Sequence, residues 1–349
     1  MRAQLKGKQE KLQAFFADSG VKPATILEPL DAAHWRYRHR ARLGVKFVPK
    51  RGGALVGFRE KGTAYLMDMH ECPVLAESIS QLIDPLRAMI GELSIKRRLP
   101  QIEFSAGDGC LSLTIRCLDP LFEEDREVLS AFQKQHGVSL FLQSAGPDSV
   151  EALSDATDID LSYRLPEHDL KISFGPTDFV QINPGINRKL IDKVIGFMDV
   201  KDGMRVADLF CGLGNFSLPL AKQGAWVQGY EILDVQVERA TENAKANALD
   251  ERTHFQMADL THESGVQAVN LHECDAILLD PHRAGAEAIV KALPEGNPRT
   301  IVYVSCNPAT LARDAGILVH EKNFTLKAAG VVNMFPHTDH AEAIALFTR

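Results

Sequence analysis

The feature that most constrains the fold is a strict alternation of strand-like and helix-like segments, which starts near residue 174 and runs to the C-terminus. Short apolar runs alternate with segments whose apolar residues recur at helical spacing, an order that predicts β-α-β units. We expect strands at 205–210, 226–231, 253–257, 276–280, 301–305, 325–332 and 341–347, and helices at 215–222, 235–247, 284–293 and 309–318. This part is therefore predicted to be a doubly wound, Rossmann-like α/β sheet, mostly parallel with an antiparallel last strand.

The preceding part of the chain mixes strands and helices without regular alternation, which predicts an α+β domain. Its expected elements are an N-terminal amphipathic helix, strands at 36–48 and 54–58, a helix at 75–93, a hairpin around Gly107–Gly109, a helix at 123–136, and strands at 138–142 and 158–163. We therefore predict three parts: an N-terminal helix and linker (1–30), an α+β domain (31–170) and the α/β domain (171–349).

Composition excludes several classes of protein. No apolar stretch approaches the roughly 18 residues that a membrane span needs, and the N-terminus lacks the apolar core of a signal peptide. The six cysteines are scattered, without a CxxC pair, which argues against a disulfide framework or a zinc site. We expect a cytoplasmic protein with reduced thiols, no metal ligands and no membrane partner.

One stretch is strongly basic, although the formal net charge of the chain is −7. Between residues 34 and 61 nine Lys and Arg stand against a single acid, Glu60. The alternating residues are Arg36, Arg38, Arg40 and Arg42. On a strand they would share one face, and a row of guanidiniums matches a phosphate-binding surface. A solvated strand face is the alternative.

A glycine-rich turn follows the first strand of the α/β region. Gly212 and Gly214 would let the backbone approach a ligand at the start of a helix. Glu231 closes the next strand 19 positions after Gly212, a spacing typical of acids that bind ribose hydroxyls. A dinucleotide site normally has a third glycine where this chain has Ser217. The acids Asp208, Glu231, Asp259 and Asp280 favour a cationic sulfonium, so we expect S-adenosyl-L-methionine, with NAD as the alternative.

The strand at 301–305 ends on Cys306, which Asn307 and Pro308 follow as a turn. If the last strand is inserted antiparallel beside this strand, its first residue Glu342 lies next to the thiol. A thiolate that adds to C6 of uracil makes C5 nucleophilic, and a base must afterwards remove the C5 proton. Cys306 and Glu342 could supply these two groups. The alternative for the cysteine is a buried small hydrophobe.

These segments resemble the RNA uracil-C5 methyltransferases, in particular the branch that acts on 23S ribosomal RNA. The matching segments are Phe-Val-Gln-Ile-Asn-Pro at 179–184, Asp-Leu-Phe-Cys-Gly-Leu-Gly-Asn at 208–215, Leu-Asp-Pro-His-Arg-Ala-Gly at 279–285, Ser-Cys-Asn-Pro at 305–308 and His-Ala-Glu at 340–342. Segments at 37–42, 56–59 and 71–75 also resemble the ribosomal branch.

The resemblance implies that Cys306 is the nucleophile and Glu342 the base. It also implies that the cofactor site is lined by Gln181, Phe210, Asn215, Glu231, Asp259 and Asp280, and that Phe179 faces the target base. The α+β domain would then bind RNA and the α/β domain would bind S-adenosyl-L-methionine. The implied partner is 23S ribosomal RNA, and no obligate protein partner is evident.

Two family features have no counterpart in this chain: an N-terminal β-barrel and three of four iron–sulfur cysteines, of which only Cys72 is present. One thiol cannot hold a cluster, so we expect none. The alternatives left open are a non-catalytic RNA-binding relic, methylation of a tRNA uridine, and an NAD-dependent oxidoreductase. Methylation of an exocyclic amine is disfavoured, because His282 and Arg283 follow Asp280-Pro281 where that chemistry needs Pro-aromatic.

Overall fold

The computed structural model describes residues 1–154 and 160–349 and divides into two compact units. Unit 1 comprises Met1–Ala32, Arg164–Ile172 and Gly185–Arg349, and unit 2 comprises Ala33–Tyr163 and Ser173–Pro184. This division differs from the predicted one, in which residues 1–30 stood apart. Residues 1–32 belong to unit 1 because Leu12 and Phe16 are buried in its hydrophobic core.

The helices of the described residues are α1 (Arg2–Asp18), α2 (Glu77–Ser80), α3 (Ile83–Glu92), α4 (Glu123–His136), α5 (Pro184–Met198), α6 (Ser217–Lys222), α7 (Asp234–Ala246), α8 (Glu263–Gln267), α9 (Glu287–Ala292) and α10 (Pro308–His320). The strands are β1 (Thr25–Ile26), β2 (Arg40–Val48), β3 (Gly53–Gly57), β4 (Gln101–Ala106), β5 (Leu111–Arg116), β6 (Ser139–Gln143), β7 (Val150–Ala152), β8 (Ser162–Leu165), β9 (Leu170–Ser173), β10 (Arg205–Leu209), β11 (Trp226–Glu231), β12 (Thr253–Met257), β13 (Ala276–Leu279), β14 (Thr300–Ser305), β15 (Thr325–Val332) and β16 (Glu342–Thr348).

Unit 1 is built on an eight-stranded sheet in the order β1-β15-β16-β14-β13-β10-β11-β12. Only β16 runs antiparallel to its neighbours β14 and β15, and the other pairings in this sheet are parallel. The central strands read as continuous apolar runs because helices cover the sheet, and Tyr303 and Phe347 are fully buried. The predicted doubly wound, mostly parallel sheet with an antiparallel last strand is confirmed.

Three helical regions differ from the prediction, one of them the short α8, where no helix was expected. The helix expected at 75–93 is divided into α2 and α3, because Pro85 lies in the first turn of α3. A proline there is tolerated, whereas in one continuous helix it would remove a backbone hydrogen bond. Helix α5 was not predicted, although Ile186, Leu190 and Val194 form its buried face at helical spacing.

Unit 2 contains a six-stranded sheet in the order β3-β2-β4-β5-β6-β7. The predicted hairpin is confirmed, since β4 and β5 pair antiparallel around Gly107–Gly109. Strand β2 begins at Arg40 rather than Arg36, whose φ of 55° is left-handed and interrupts an extended run. Part of the strand expected at 158–163 lies outside the described residues, and β8 begins at Ser162.

A second hairpin follows β3, and we call it the 58–67 hairpin. Its strands are joined by the Arg59–Leu66 bridge and by a hydrogen bond of 2.9 Å from Met67 N to Phe58 O. Two glycines make room for it. A Cβ on Gly44 would lie 2.3 Å from Leu66 Cδ2, and a Cβ on Gly57 would lie 2.1 Å from Met67 O. The sequence of β2 and β3 therefore lets the hairpin lie close to the sheet.

The close approach at Gly57 predicts that Gly57→Ala lowers the free energy of unfolding by about 1–3 kcal/mol, because overpacking against a backbone carbonyl forces a shift. The control is Gly91→Ala in α3, where the added Cβ meets no atom within 4 Å. There we expect a gain of about 0.5–1 kcal/mol from the better helix former. Urea unfolding of the full chain measures both, and a Gly57→Ala protein as stable as the wild type would contradict the packing argument.

Candidate active site

Cys306 lies at the carboxyl edge of the unit 1 sheet, between β14 and α10. Asn307 caps this helix, since its Oδ1 accepts a hydrogen bond of 3.2 Å from Ala309 N. Ser305 Oγ accepts from Asn307 N at 3.1 Å, and Asn307 Nδ2 donates to Arg283 O at 2.9 Å. These bonds fix the turn, so the position of the thiol is set by local structure rather than by its own contacts.

Glu342 is brought to the same edge by strand register. In the antiparallel pair of β14 and β16, Ser305 lies opposite Ala343. Cys306, which follows Ser305, is therefore a neighbour of Glu342, which precedes Ala343. The predicted insertion of the last strand beside the cysteine strand is therefore confirmed. The Glu342 side chain is buried, with 8 % of the residue exposed. Burial raises its pKa to about 8, and the charge of Asp280 adds to this effect.

The pKa of the Cys306 thiol is raised to about 11, mainly by burial and then by the charges of Glu342 and Asp280. Arg283 acts in the opposite direction. The thiol is only half-buried and opens into a cleft of about 260 Å³. The residues that line this cleft with Cys306 include Lys11, Arg283, Asp339 and His340. The thiol is accessible but protonated at neutral pH, so its reaction needs a change in its charge environment.

The glycine-rich turn joins β10 to α6 and has three left-handed residues. The φ angles are 71° at Phe210, 54° at Gly212 and 88° at Gly214. Gly212 N donates to Glu231 Oε2 at 3.2 Å, and the other carboxylate oxygen accepts from Ile232 N at 2.7 Å. Glu231 therefore holds the turn against the end of β11, and the left-handed φ angles at Gly212 and Gly214 are ones that glycine adopts readily.

Two further acids, Asp208 and Asp280, lie close enough at this edge to interact electrostatically. Asp208 is fully buried and accepts a hydrogen bond from Ser217 Oγ. Burial raises the pKa of Asp208 to about 7, and burial together with the charge of Asp208 raises that of Asp280 to about 7. The buried Asp208 Oδ1 has no hydrogen-bond partner within 1–154 and 160–349. An unpartnered buried carboxylate oxygen and crowded acids fit a cationic ligand such as a sulfonium.

The other predicted cofactor residues have different surroundings. Asn215 exchanges two hydrogen bonds of 2.9 Å with Asn187 of α5. Asp259 accepts from Thr261 N at 3.0 Å, and this bonding lowers its pKa. Gln181 and Phe179 belong to unit 2, where Phe179 is 62 % exposed. The residues at the carboxyl edge of the unit 1 sheet are thus assembled by its fold, whereas Gln181 and Phe179 come from the other unit.

The prediction of four arginines on one strand face is wrong. Arg36 pairs with Glu77 at 2.7 Å, and Arg38 lies over the Phe58 ring at 5.5 Å. Arg40 and Arg42 both bind the carboxylate of Glu103. Arg36 and Arg38 precede β2, so strand periodicity does not apply to them. Only Arg42 keeps a largely exposed side chain among the four.

Sequence reasoning missed three cationic or titratable groups near Cys306. Arg283 and His340 are 3.4 Å apart, Nη2 to Nε2, and burial with the Arg283 charge lowers the pKa of His340. Arg283 lies in the matching segment 279–285 and His340 in 340–342, so the sequence motifs could have identified both residues. Lys11 comes from α1, about three hundred positions away in the chain, and no local pattern connects it to the thiol.

Neither a membrane-spanning helix nor a metal-binding cluster is present among the described residues. No helix there is long and apolar enough to cross a membrane. Within 1–154 and 160–349, no three or more His, Cys, Asp or Glu residues are grouped so that they could hold a metal ion.

Comparison with known proteins places these features in a family. The family model described as tRNA (Uracil-5-)-methyltransferase matches residues 1–349. The 23S rRNA (uracil(1939)-C(5))-methyltransferase RlmD of Bordetella parapertussis is 49 % identical over 350 residues, which cover 99 % of this chain and 75 % of that protein. The RlmD of Nitrosospira multiformis is 47 % identical over 352 residues, covering 100 % of this chain and 80 % of that protein.

A solved structure agrees with the sequence comparison. The Pyrococcus abyssi tRNA (uracil-54, C5)-methyltransferase, in complex with S-adenosyl-L-homocysteine, superimposes with a TM-score of 0.78 at 25 % identity. The match covers 99 % of this chain and 83 % of that one. The resemblance predicted from the sequence motifs is confirmed, and this chain belongs to the tRNA (Uracil-5-)-methyltransferase family.

Proposed function

We propose that the protein transfers a methyl group from S-adenosyl-L-methionine to C5 of a uridine in 23S ribosomal RNA. The observation that carries the proposal is the register of β14 and β16, which makes the buried acid Glu342 a neighbour of the thiol Cys306. Relatives named for this reaction on 23S rRNA share nearly half of the sequence over the whole chain. Both the chemistry and the substrate therefore have support.

The cofactor site that we propose is the carboxyl edge of β10, β11 and β13. The turn with Gly212 and Gly214 is left-handed at both glycines, and the carboxyl groups of Asp208, Glu231 and Asp280 lie around it. The residues implied further by the family resemblance are Gln181, Phe210, Asn215 and Asp259. When bound, S-adenosyl-L-methionine supplies an electrophilic methyl group to a carbon nucleophile.

In the proposed mechanism the Cys306 thiolate adds to C6 of the uracil, and the electron pair of the C5–C6 double bond makes C5 nucleophilic. After C5 has gained the methyl group, Glu342 removes the C5 proton. The electron pair of that C–H bond re-forms the double bond and expels the thiolate. The charges of Glu342 and Asp280 raise the pKa of Cys306. A bound cation offsets these charges and therefore favours the thiolate. The target base must leave its stack to reach the thiol.

Three alternatives are weighed by particular observations. Methylation of a tRNA uridine is supported by the match to the Pyrococcus abyssi enzyme, but that match is at lower identity than the ribosomal relatives. An NAD site would need a glycine at position 217, where the Ser217 hydroxyl instead binds the buried Asp208. A non-catalytic RNA-binding relic has no physical need for a base beside an accessible thiol.

Transfer of labelled methyl to unmodified 23S RNA and to unmodified tRNA, followed by digestion to nucleosides, tests the proposal. We expect label in 5-methyluridine from 23S RNA. Label only in tRNA would mean that the substrate is tRNA and not 23S RNA. Cofactor binding without transfer to either RNA would contradict the proposed reaction.

Cys306→Ala should abolish methyl transfer, because no thiolate remains to activate C5, while the affinity for S-adenosyl-L-methionine stays within about twofold. Transfer assays and calorimetry measure the two quantities. Cys110→Ala is the matched control, since Cys110 is a free thiol in unit 2, and it should keep wild-type activity. Substantial turnover by Cys306→Ala would overturn the mechanism.

Glu342→Gln should slow breakdown of the covalent RNA–protein adduct by a factor of about 100 or more, since general-base catalysis typically contributes 10²–10⁴-fold. The adduct is measured as an RNA-dependent shift on a denaturing gel. Glu321→Gln, at an exposed position on unit 1, should behave as wild type. If Glu342→Gln turns over without accumulating adduct, another group is the base.

The pKa values give a test that does not depend on RNA. Above a pH of about 8 Glu342 is ionised and raises the pKa of Cys306, so Glu342→Gln should increase the thiolate fraction. We expect iodoacetamide to alkylate Cys306 several-fold faster in this variant at pH 9. At pH 6 Glu342 is already neutral, so the rates should be equal. Peptide mass spectrometry measures the rates, and equal rates at pH 9 would mean that the two side chains are not coupled.

A further inference from the structure

The unpaired cations of unit 2 include residues outside the predicted arginine row at 36–42. Residues 49–66 contain the cations Lys50, Arg51, Arg59 and Lys61 and one acid, Glu60, in a chain of net charge −7. The side chains of Lys50, Arg59 and Lys61 form no hydrogen bond or ion pair with any residue that the structure describes, whereas those at Arg36, Arg40 and Arg42 bind acids. Unpaired cations concentrated on one short segment are available for an external anion.

The 58–67 hairpin gives Arg59 and Lys61 a fixed frame, whereas Lys50 lies in the turn at the other end of β3. Besides its Arg59–Leu66 bridge, Glu60 N donates to Tyr65 O at 3.0 Å and Thr63 N donates to Glu60 O at 3.2 Å, closing the turn. The buried Leu66 anchors the hairpin over Gly44. Its tip is therefore a defined turn rather than a loop without internal bonds.

The hairpin also exposes an aromatic ring. Tyr65 is 73 % exposed and Met67 is 48 % exposed, while Leu66 between them is buried. Tyr65 and Met67 thus project on the outer side of one strand, as side chains two positions apart do. Arg59 lies opposite the buried Leu66, and Glu60 is the cross-strand neighbour of Tyr65, so the ring and the cations share the hairpin without sharing one face of it. An exposed ring and unpaired cations on one hairpin have the composition of a surface that binds unpaired nucleotides, where rings stack on bases and cations neutralise phosphates.

We propose that the 58–67 hairpin binds an unpaired segment of the RNA substrate. Tyr65 stacks on a base, and Arg59 and Lys61 contact phosphates. This assignment rests on the proposed function, because it takes RNA as the substrate. An overall negative charge repels RNA, so affinity must come from a local concentration of cations such as this one. The exposed ring favours RNA over an acidic peptide, which offers anions without a series of flat bases to stack.

The test uses the full chain, a 23S RNA fragment containing the methylated uridine, and fluorescence anisotropy without cofactor. Tyr65→Ala should weaken binding by about tenfold, since stacking on one base contributes about 1–3 kcal/mol. Tyr65→Phe keeps the ring and should bind like the wild type. Arg59→Gln/Lys61→Gln should reduce the slope of log K against log salt by about 1.4, at about 0.7 per contact with a single strand.

Matched controls separate contact from general charge and from folding. Lys245→Gln/Lys327→Gln removes the same charge from exposed positions on unit 1 and should leave the salt slope nearly unchanged. In methyl transfer, the hairpin variants should raise KM for RNA, with kcat and the affinity for S-adenosyl-L-methionine within about twofold of wild type.

The two proposals fail in different ways. A wild-type protein that binds the RNA but transfers no methyl group would contradict the proposed function and leave the hairpin contact standing. A wild-type protein that methylates the RNA, with an unchanged KM and salt slope in the hairpin variants, would overturn the hairpin assignment.

Discussion

The insertion of β16 between β14 and β15 is the constraint on which the site depends. A parallel strand in this position would begin at the opposite edge of the sheet and would carry Glu342 away from Cys306. The antiparallel direction instead makes the first residue of the last strand a neighbour of the residue that ends β14. Both strands are buried along nearly their whole length, so a slip of one residue would exchange the side chains packed on the two faces of the sheet and disrupt the close packing on both. Packing of the core thereby fixes the register that places Glu342 beside Cys306.

The electrostatics of the site oppose its own ionisation. Burial and mutual repulsion raise the pKa of Asp208, Asp280, Glu342 and Cys306 together. Each carboxylate that forms makes the next ionisation harder, so the group as a whole holds protons that isolated carboxyls would have lost. Ionisation of these acids is unfavourable until a positive charge binds beside them. The site therefore favours a cationic cosubstrate over a neutral or anionic one. The same repulsion links cofactor occupancy to the reactivity of the thiol.

The sequence predicted most of unit 1 because its signals are local. The expected bounds of β11, β12 and β15 agree with the structure, since apolar runs with turn residues at both ends determine them. The position of Glu342 was predicted by placing the last strand antiparallel beside the strand that ends at Cys306. The arginine row failed because its periodicity required a strand, and the left-handed φ of Arg36 ends the extended backbone before β2 begins. Lys11 could not be found, because only the packing of α1 brings it to the cleft.

Unit 1 is discontinuous in the chain, and this has a consequence for its synthesis. Helix α1 precedes unit 2 in the chain, whereas β15 and β16 follow it. Lys8 of this helix donates 2.9 Å hydrogen bonds to Asn333 Oδ1 and to Phe335 O, and its charge lowers the pKa of Glu342. Most of unit 2 is encoded between them and can complete its sheet early, while the apolar face of α1 waits for its partners. The hydrogen bonds of Lys8 to Asn333 and Phe335, and its effect on the pKa of Glu342, therefore arise only after β16 has been synthesised.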